Sequence, residues 1–313
     1  MTTQPTALEV ETVPFSRVLV PYDGSAQSQT ALAYGIALAH RGAVLDIVNV
    51  VNDSPVYAES STSVVMFDPT PLIDALDKQA DVVVGDAEAR CREAGVEAQT
   101  HVLHDFSVSG IDRVAEDNHD DLIVLGTHGR SGLPRTFLGS TTEGVLRSSR
   151  TAVLAVHADM APPARLFSKI LVAIDDSEPS DAAVALAARI ARTTGASAVI
   201  YSSLDVSDVL EKAGSFGYDP VPLLDELRDS AEHVVDRAVT HGGFPMGTAV
   251  PSVVKSEPAQ GIIEEAVRAG ADLIVMGSHG RRGLQRLFLG SVAEHVVRHS
   301  PVPVLVVRVP PAL

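Results

Sequence analysis

Two fifteen-residue stretches of the chain repeat one spacing of glycine, arginine and serine. The first is GTHGRSGLPRTFLGS at 126–140, and the second is GSHGRRGLQRLFLGS at 277–291. Both follow the pattern Gly-x2-Gly-x9-Gly-Ser, and neither contains Asp or Glu. Glycines let a backbone approach a ligand closely, the N–H groups at a helix start attract phosphate, and arginine recognises it in bidentate fashion. The two stretches therefore predict two polyphosphate sites, although each could also be a tight turn with solvated arginines.

The serine that ends each stretch has a competing structural role. STTE at 140–143 and SVAE at 291–294 both read as capping boxes, in which Ser140 or Ser291 would be the N-cap of a helix. Phosphate contact would then be an additional role. From the sequence, helix capping and phosphate contact are equally supported roles for these serines.

An aspartate follows the first apolar run of each half of the chain, in DGS at 23–25 and DDS at 175–177. Asp23 and Asp175 could accept hydrogen bonds from a ribose hydroxyl or an adenine amine, or could cap the next helix. Ser25 is the better predicted cap in the first case, and Asp176 or Ser177 in the second. His128 and His279 have no second His or Cys at ligand spacing, so we expect no metal site there.

An internal repeat explains why these residues occur twice. RVLVPYDGS at 17–25 matches KILVAIDDS at 169–177, and DLIVLGTHG at 121–129 matches DLIVMGSHG at 272–280. Offsets of 152 and 151 residues indicate two copies of one domain. The predicted organisation is a flexible N-terminus at 1–14, domains at 15–158 and 167–313, and a linker at 159–166.

Each copy alternates short β-branched runs with longer periodic segments, which is typical of an α/β fold with a parallel sheet. The predicted strands lie at 17–22, 44–51, 98–104, 121–126 and 152–157, and at 169–174, 196–203, 248–254, 272–277 and 302–308. We predict two tandem doubly wound domains, each a five-stranded parallel sheet in the order 3-2-1-4-5 with helices on both faces. Such a sheet opens a crevice at its switch point, beyond strands one and four. Helices are expected at 26–41, ending at Gly42, and at 71–94, with Leu72, Leu76, Val83 and Ala87 on one apolar face.

Composition narrows the class of partner. Lys plus Arg number 24 against 40 Asp plus Glu, a net charge of −16, which repels nucleic acids and anionic lipids. No apolar run is long enough to span a bilayer, and nothing at the start resembles a secretion signal. We therefore expect a soluble, cytoplasmic protein that binds neither nucleic acid nor membrane. The single cysteine, Cys91, is expected to be a half-buried helical thiol.

Taken together, these motifs resemble the universal stress protein family, specifically its tandem members of the ATP-binding branch, whose fold is adenine nucleotide alpha hydrolase-like. The resemblance covers about 15–158 and 167–309. It implies ATP, ADP or AMP as ligand, with Mg²⁺ carried by the nucleotide. The implied nucleotide-binding residues are Asp23, Val50, Gly126, Gly129, Arg130, Gly139, Ser140 and Thr141 in the first copy, and Asp175, Ser203, Gly277, Gly280, Arg281, Gly290, Ser291 and Val292 in the second.

The second copy departs from the family pattern at two positions. DDS replaces DGS, and Ser203 replaces an aliphatic residue beside the implied adenine, so the implied second adenine pocket differs from the family pattern. The family also implies contacts through the fifth strands. Here these would pair one copy with the other inside the chain, and a homodimer remains possible.

Three functions are compatible with the motifs. The favoured one is a nucleotide-dependent regulatory or stress-response module with little or no turnover and an unknown protein partner. A slow ATPase or another adenine-nucleotide enzyme is the first alternative, although the chain has no P-loop motif and no GK pair. A scaffold that binds no nucleotide is the second, but it predicts loss of the glycine pattern in at least one copy.

Overall fold

A computed structural model describes residues 14–53, 68–127, 138–206, 219–280 and 289–308 of the protein. The predicted flexible N-terminus lies outside these ranges apart from Pro14. Most of 52–70 and 204–219, which we expect to be surface loops, lies outside them as well.

The first half of the chain folds as alternating strands and helices. Its elements are β1 (Arg17–Pro21), α1 (Ala26–Ala39), β2 (Val44–Val51), α2 (Thr70–Glu93), β3 (Ala98–His104), α3 (Ser107–Asp117), β4 (Leu122–Gly126), α4 (Ser140–Ser148) and β5 (Ala152–Val156). All five predicted strands are present, with their ends within one residue of the prediction.

The second half repeats this order. Its elements are β6 (Lys169–Ala173), α5 (Glu178–Thr194), β7 (Ser197–Leu204), α6 (Val221–His241), β8 (Ala249–Lys255), α7 (Pro258–Ala269), β9 (Leu273–Gly277), α8 (Ser291–His299) and β10 (Val304–Val307). None of the helices that the structure describes is both long and apolar enough to cross a bilayer.

The ten strands within the described ranges belong to one sheet, in the order β3-β2-β1-β4-β5-β10-β9-β6-β7-β8. Each half therefore has the predicted order 3-2-1-4-5, and the pairing within each half is parallel. The halves meet at β5 and β10, which pair antiparallel with Leu154 opposite Leu305. The Val-rich fifth strands consequently have neighbours on both sides, which removes two aggregation-prone edges.

Successive side chains of each strand point to opposite faces of the sheet, so an apolar core forms on each face. In β1, Val18 and Val20 face the layer that includes buried residues of α1, α2, α5 and α6, whereas Leu19 faces the layer with α3, α4, α7 and α8. Both layers continue through β5 and β10 into the other half. Because α1 and α4 cover opposite faces, the switch point of the first half lies between β1 and β4.

Two helix predictions are corrected. α1 ends at Ala39 with His40 as its C-cap, not at Gly42; Gly42 instead takes a φ of +100° in the turn that follows. The buried residues of α2 are Ala80, Val84, Ala87 and Cys91; Val83 packs against the same core while half-buried, and Leu72 is 41% exposed. Small residues at this spacing allow close packing on the sheet, and they bury Cys91 more deeply than expected.

Candidate functional site

A cleft opens at the carboxyl end of the sheet in the first half, where β1 and β4 diverge into helices on opposite faces. We call it the first cleft; its volume is about 330 Å³. Six of the sequence-predicted site residues line it, namely Asp23, Val50, Gly126, Gly139, Ser140 and Thr141. Apolar side chains such as Val48 and Ile111 complete its wall.

The equivalent second cleft has a volume of about 940 Å³. Seven predicted residues line it, namely Asp175, Ser203, Gly277, Gly280, Gly290, Ser291 and Val292. Gly129, Arg130 and Arg281 lie outside the described residues. Replacement of an aliphatic residue by Ser203 has therefore not closed the second cleft, which is the larger of the two.

Glycine is required where β4 and β9 end. A Cβ atom at Gly126 would lie 2.5 Å from Cβ of Gln27 and 2.7 Å from its backbone carbon. At Gly277 a Cβ atom would lie 2.8 Å from Cβ of Pro179. Because the first turn of the neighbouring helix occupies this space, a side chain at either position would push the helix away from the floor of the cleft.

Two further glycines bring backbone close to the second cleft. A Cβ atom at Gly280 would lie 2.2 Å from Oδ2 of Asp175, so only glycine lets this backbone segment pack against the carboxylate. A Cβ atom at Gly290 would lie 3.1 Å from Cα of His279. The glycine spacing in the sequence thus lets Gly280 pack against Asp175 and lets Gly290 pack against His279.

The capping-box prediction for Ser140 and Ser291 is wrong. The N-caps of α4 and α8 are Gly139 and Gly290, and the serines are the first helical residues. The glycines are fixed by hydrogen bonds from their N–H groups to the carbonyl oxygens of Thr127 and Ser278, both 2.8 Å long. The serine hydroxyls are therefore not used as caps, and both serines line the clefts.

The aspartates after β1 and β6 are held by the start of the next helix. Oδ1 of Asp23 accepts a 3.0 Å hydrogen bond from the N–H of Ser25, and the Ser25 side chain caps α1, as predicted. Oδ1 of Asp175 accepts a 2.6 Å hydrogen bond from the hydroxyl of Ser177. Ser177 is the N-cap of α5 by position, but its side chain makes no capping hydrogen bond.

Sequence reasoning overlooked a second serine in this turn. The hydroxyl oxygens of Ser28 and Ser180 accept hydrogen bonds from the N–H groups of Asp23 and Asp175, at 3.4 and 3.3 Å. Both serines line their clefts. The repeated pattern Asp-x-Ser-x2-Ser was the available signal.

The two clefts differ in how the long helix is tied to the aspartate turn. In the first half, the Tyr22 hydroxyl donates to the carboxylate of Asp86 in α2, which also accepts from Arg90 at 2.9 Å. Burial raises the pKa of Tyr22, and the Tyr22 hydrogen bond lowers the pKa of Asp86. In the second half, Arg237 of α6 instead pairs with Asp176 at 2.5 Å.

Fold and clefts together define a tandem α/β protein with a cleft at the switch point of each half. The sequence profile of the universal stress protein family matches residues 14–157 and 166–308. The universal stress protein Rv2005c of Mycobacterium tuberculosis is 30% identical over 300 residues, which cover 93% of this chain and 96% of that protein. The crystal structure of a universal stress protein from Archaeoglobus fulgidus shares the fold with a TM-score of 0.64 at 24% identity, covering 93% of this chain and 96% of that one.

The chain belongs to the universal stress protein family, and it is a tandem member with two copies of the family's domain. The predicted resemblance and the predicted fold class are confirmed.

Proposed function

We propose that each half of the protein binds one adenine nucleotide in its cleft, with Mg²⁺ carried by the nucleotide. The observation that carries this proposal is the same arrangement in both clefts. A helix that starts after a glycine N-cap opens opposite an aspartate held by its own turn, at the switch point of a parallel sheet. Switch points are where doubly wound sheets bind nucleotides.

The first turns of α4 and α8 supply the proposed phosphate site. N–H groups at the start of a helix have no intrahelical acceptor, and the helix dipole favours an anion there. Ser140 and Thr141 lie on the first of these turns, and Ser291 and Val292 lie on the second. Glycine at 139 and 290 keeps the approach to these groups free of side chains.

The aspartates are proposed to bind the nucleoside. Asp23 and Asp175 lie across each cleft from the helix start, and their carboxylates can accept hydrogen bonds from ribose hydroxyls. Val50 and Ser203, on the neighbouring strand, form the wall proposed for adenine. Cleft volumes of about 330 and 940 Å³ fit the range of small-molecule sites.

We further propose that the bound nucleotide acts as a regulatory signal to a protein partner in the cytoplasm, with little or no turnover. The contacts of Asp175 support this part, because the 2.6 Å hydrogen bond from the hydroxyl of Ser177 holds the carboxylate in one orientation, as a ligand-binding group requires. Release of phosphate or AMP from ATP, followed over hours, tests the absence of turnover.

Charge substitutions at the helix starts test the binding proposal. Ser140→Asp and Ser291→Asp place a carboxylate in the first turn, where it favours the helix dipole but repels phosphate. Titration of nucleotide-stripped protein with Mg-ATP by calorimetry should lose one site in each variant. Ser140→Asn and Ser291→Asn match the Asp variants in shape without the charge and should keep both sites. Unchanged binding in the double Asp variant would show that ATP binds outside the two clefts. Absence of binding by the wild type would favour the alternative in which the protein is a scaffold that binds no nucleotide.

A further inference from the structure

His157 forms a bridge between the two halves of the protein. It directly follows β5 and is only 7% exposed. Its Nδ1 lies 2.8 Å from the hydroxyl of Thr127 in the first half, and its Nε2 lies 3.0 Å from the carbonyl oxygen of Val297 in the second. A carbonyl can only accept, so Nε2 donates to Val297, and in the neutral ring Nδ1 accepts from Thr127.

The Val297 end of the bridge lies in α8, the helix whose first turn lines the second cleft. In a continuing helix, the carbonyl oxygen of Val297 would accept a hydrogen bond from the N–H of residue 301. Residue 301 is proline, which has no N–H to donate. The preceding carbonyl, of Val296, is satisfied in the ordinary way by the N–H of Ser300 at 2.8 Å. His157 thus supplies a donor to a carbonyl of the last turn of α8, and it fixes the end of this helix to the other half.

The Thr127 end of the bridge lies directly behind the first cleft, which the preceding residue Gly126 lines. Thr127 follows Gly126, and its carbonyl accepts from the N–H of Gly139, the N-cap of α4. Its own N–H donates to Val156, the residue before His157. The buried His157 is therefore hydrogen-bonded to Thr127, which holds the N-cap of α4, and to α8, whose first turn lines the second cleft.

The equivalent position in the second half is built differently. Arg308 follows β10 as His157 follows β5, and its charge opposes the rise in the pKa of Asp112 in α3 that burial causes. Asp112 accepts a 2.6 Å hydrogen bond from Ser148, the last residue of α4. The hydroxyl of Ser278, the counterpart of Thr127, lies 3.1 Å from Nδ1 of the neighbouring His279. The bridge through a buried imidazole is thus specific to the first half.

We propose that His157 couples the two clefts, so that a nucleotide in one raises the affinity of the other. A ligand at the start of α8 restricts the motion of that helix. The hydrogen bonds that join Val297 to His157 and His157 to Thr127 pass this restriction to the N-cap of α4. A second ligand then loses less conformational freedom on binding. His157 is a positioning residue in this scheme, and the inference rests on the proposed nucleotide function.

Mg-ATP calorimetry on the full chain measures the coupling. Ser291→Asp leaves only the first site to bind, and Ser140→Asp leaves only the second, so each variant gives the binding constant of one site alone. The coupling factor is the ratio of the wild-type binding constant to that single-site constant. We expect a factor of about 5 to 20 in the wild type, within the range usual for coupled sites. His157→Leu should reduce it to within about twofold of one, since both bridging bonds are lost. His157→Gln, whose amide has an NH2 group that can donate to Val297 and an oxygen that can accept from Thr127, should keep most of it.

Two further variants make the result decisive. Thr127→Val breaks the bridge from its other end with little change in shape, so it tests the coupling if His157→Leu does not fold. His40→Leu is the control for loss of an imidazole hydrogen bond that does not join the halves, because Nε2 of the exposed His40 lies 2.9 Å from the carbonyl oxygen of Ala94 in the first half. It should leave the factor unchanged.

Two sites that bind ATP independently in the wild type, or a coupling factor that survives in both His157→Leu and Thr127→Val, would overturn the role of His157 and leave the proposed function intact. Absence of ATP binding at both clefts would refute the proposed function and the coupling together.

Discussion

Asp46 and Asp120 are both buried at the amino-terminal edge of the sheet, and they share one arginine. Nη2 of Arg17 lies 2.6 Å from Oδ2 of Asp46, whereas its Nε lies 3.9 Å from Oδ1 of Asp120. Asp46 also accepts from Asn118 and lies 3.1 Å from Nε2 of His101. Neither carboxylate oxygen of Asp120 has a hydrogen-bond partner within the described ranges.

The Asp120 carboxylate predicts a pH-dependent stability. Burial and the repulsion of Asp46 raise its pKa from 3.8 to about 7, and Arg17 offsets only part of this rise. A raised pKa means that the folded state holds the proton more tightly than the unfolded state does. The contribution of Asp120 is therefore fully present below about pH 4 and is lost as the pH rises through about 7.

Asp120→Asn removes this titration while keeping the shape of the side chain. Relative to the wild type, the variant should gain stability between pH 4 and pH 8, by at most about 4 kcal/mol, which corresponds to a pKa moved from 3.8 to about 7. Thermal unfolding of both proteins across this pH range measures the gain. Asp117→Asn, at the exposed end of α3, is the control, and a Tm difference that stays constant with pH would contradict the prediction.

Glycine at the ends of β4 and β9 predicts a large cost for a single methyl group. Gly126→Ala would force Cβ against the backbone of Gln27, so we expect a loss of about 1–3 kcal/mol or more in the free energy of unfolding. Gly85→Ala is the matched control, because Gly85 lies within α2 and a Cβ atom there meets nothing within 4 Å. That control should gain about 0.5–1 kcal/mol. Denaturant unfolding that ranks the two variants in the opposite order would show that the cleft floor is not tightly packed.

The DDS turn predicts different outcomes for two substitutions of Asp176. This residue takes a φ of +65°, where Gly24 of the first half has +80°, and it pairs with Arg237. Asp176→Gly loses an exposed ion pair but relieves the left-handed backbone, so its stability should stay within about 1 kcal/mol of the wild type. Asp176→Ala loses the pair and keeps the strain, and it should be less stable than Asp176→Gly by about 1 kcal/mol. Equal melting temperatures for the two variants would rule out backbone strain at this position.

The parts of this architecture that repeat along the chain could be predicted from the sequence. Strand positions, the order 3-2-1-4-5 and the placement of Asp23 and Gly126 at one cleft follow from local patterns that occur twice. The capping box at Ser140 misled because the helix start is fixed by Thr127, a residue 13 positions earlier in the sequence, and not by the local tetrapeptide.

Buried polar groups that join distant segments could not be predicted. Asp46 lies in the apolar run VLDIVNVV, and its partners come from β1, β3 and the end of α3. The second half has Val199 and Ala271 at the positions of Asp46 and Asp120, so the repeat itself gave no signal. His157 is likewise bonded to a carbonyl 140 residues away, which no local pattern records.

The number of nucleotides bound per chain tests the central claim most directly. Native mass spectrometry of nucleotide-stripped protein, titrated with Mg-ATP, should show two ATP molecules on each wild-type chain. One should remain in Ser140→Asp or Ser291→Asp, and none in the double variant. A wild-type chain that stays free of ATP at millimolar concentration, or a double variant that still binds two molecules, would contradict the assignment of the two clefts as nucleotide sites.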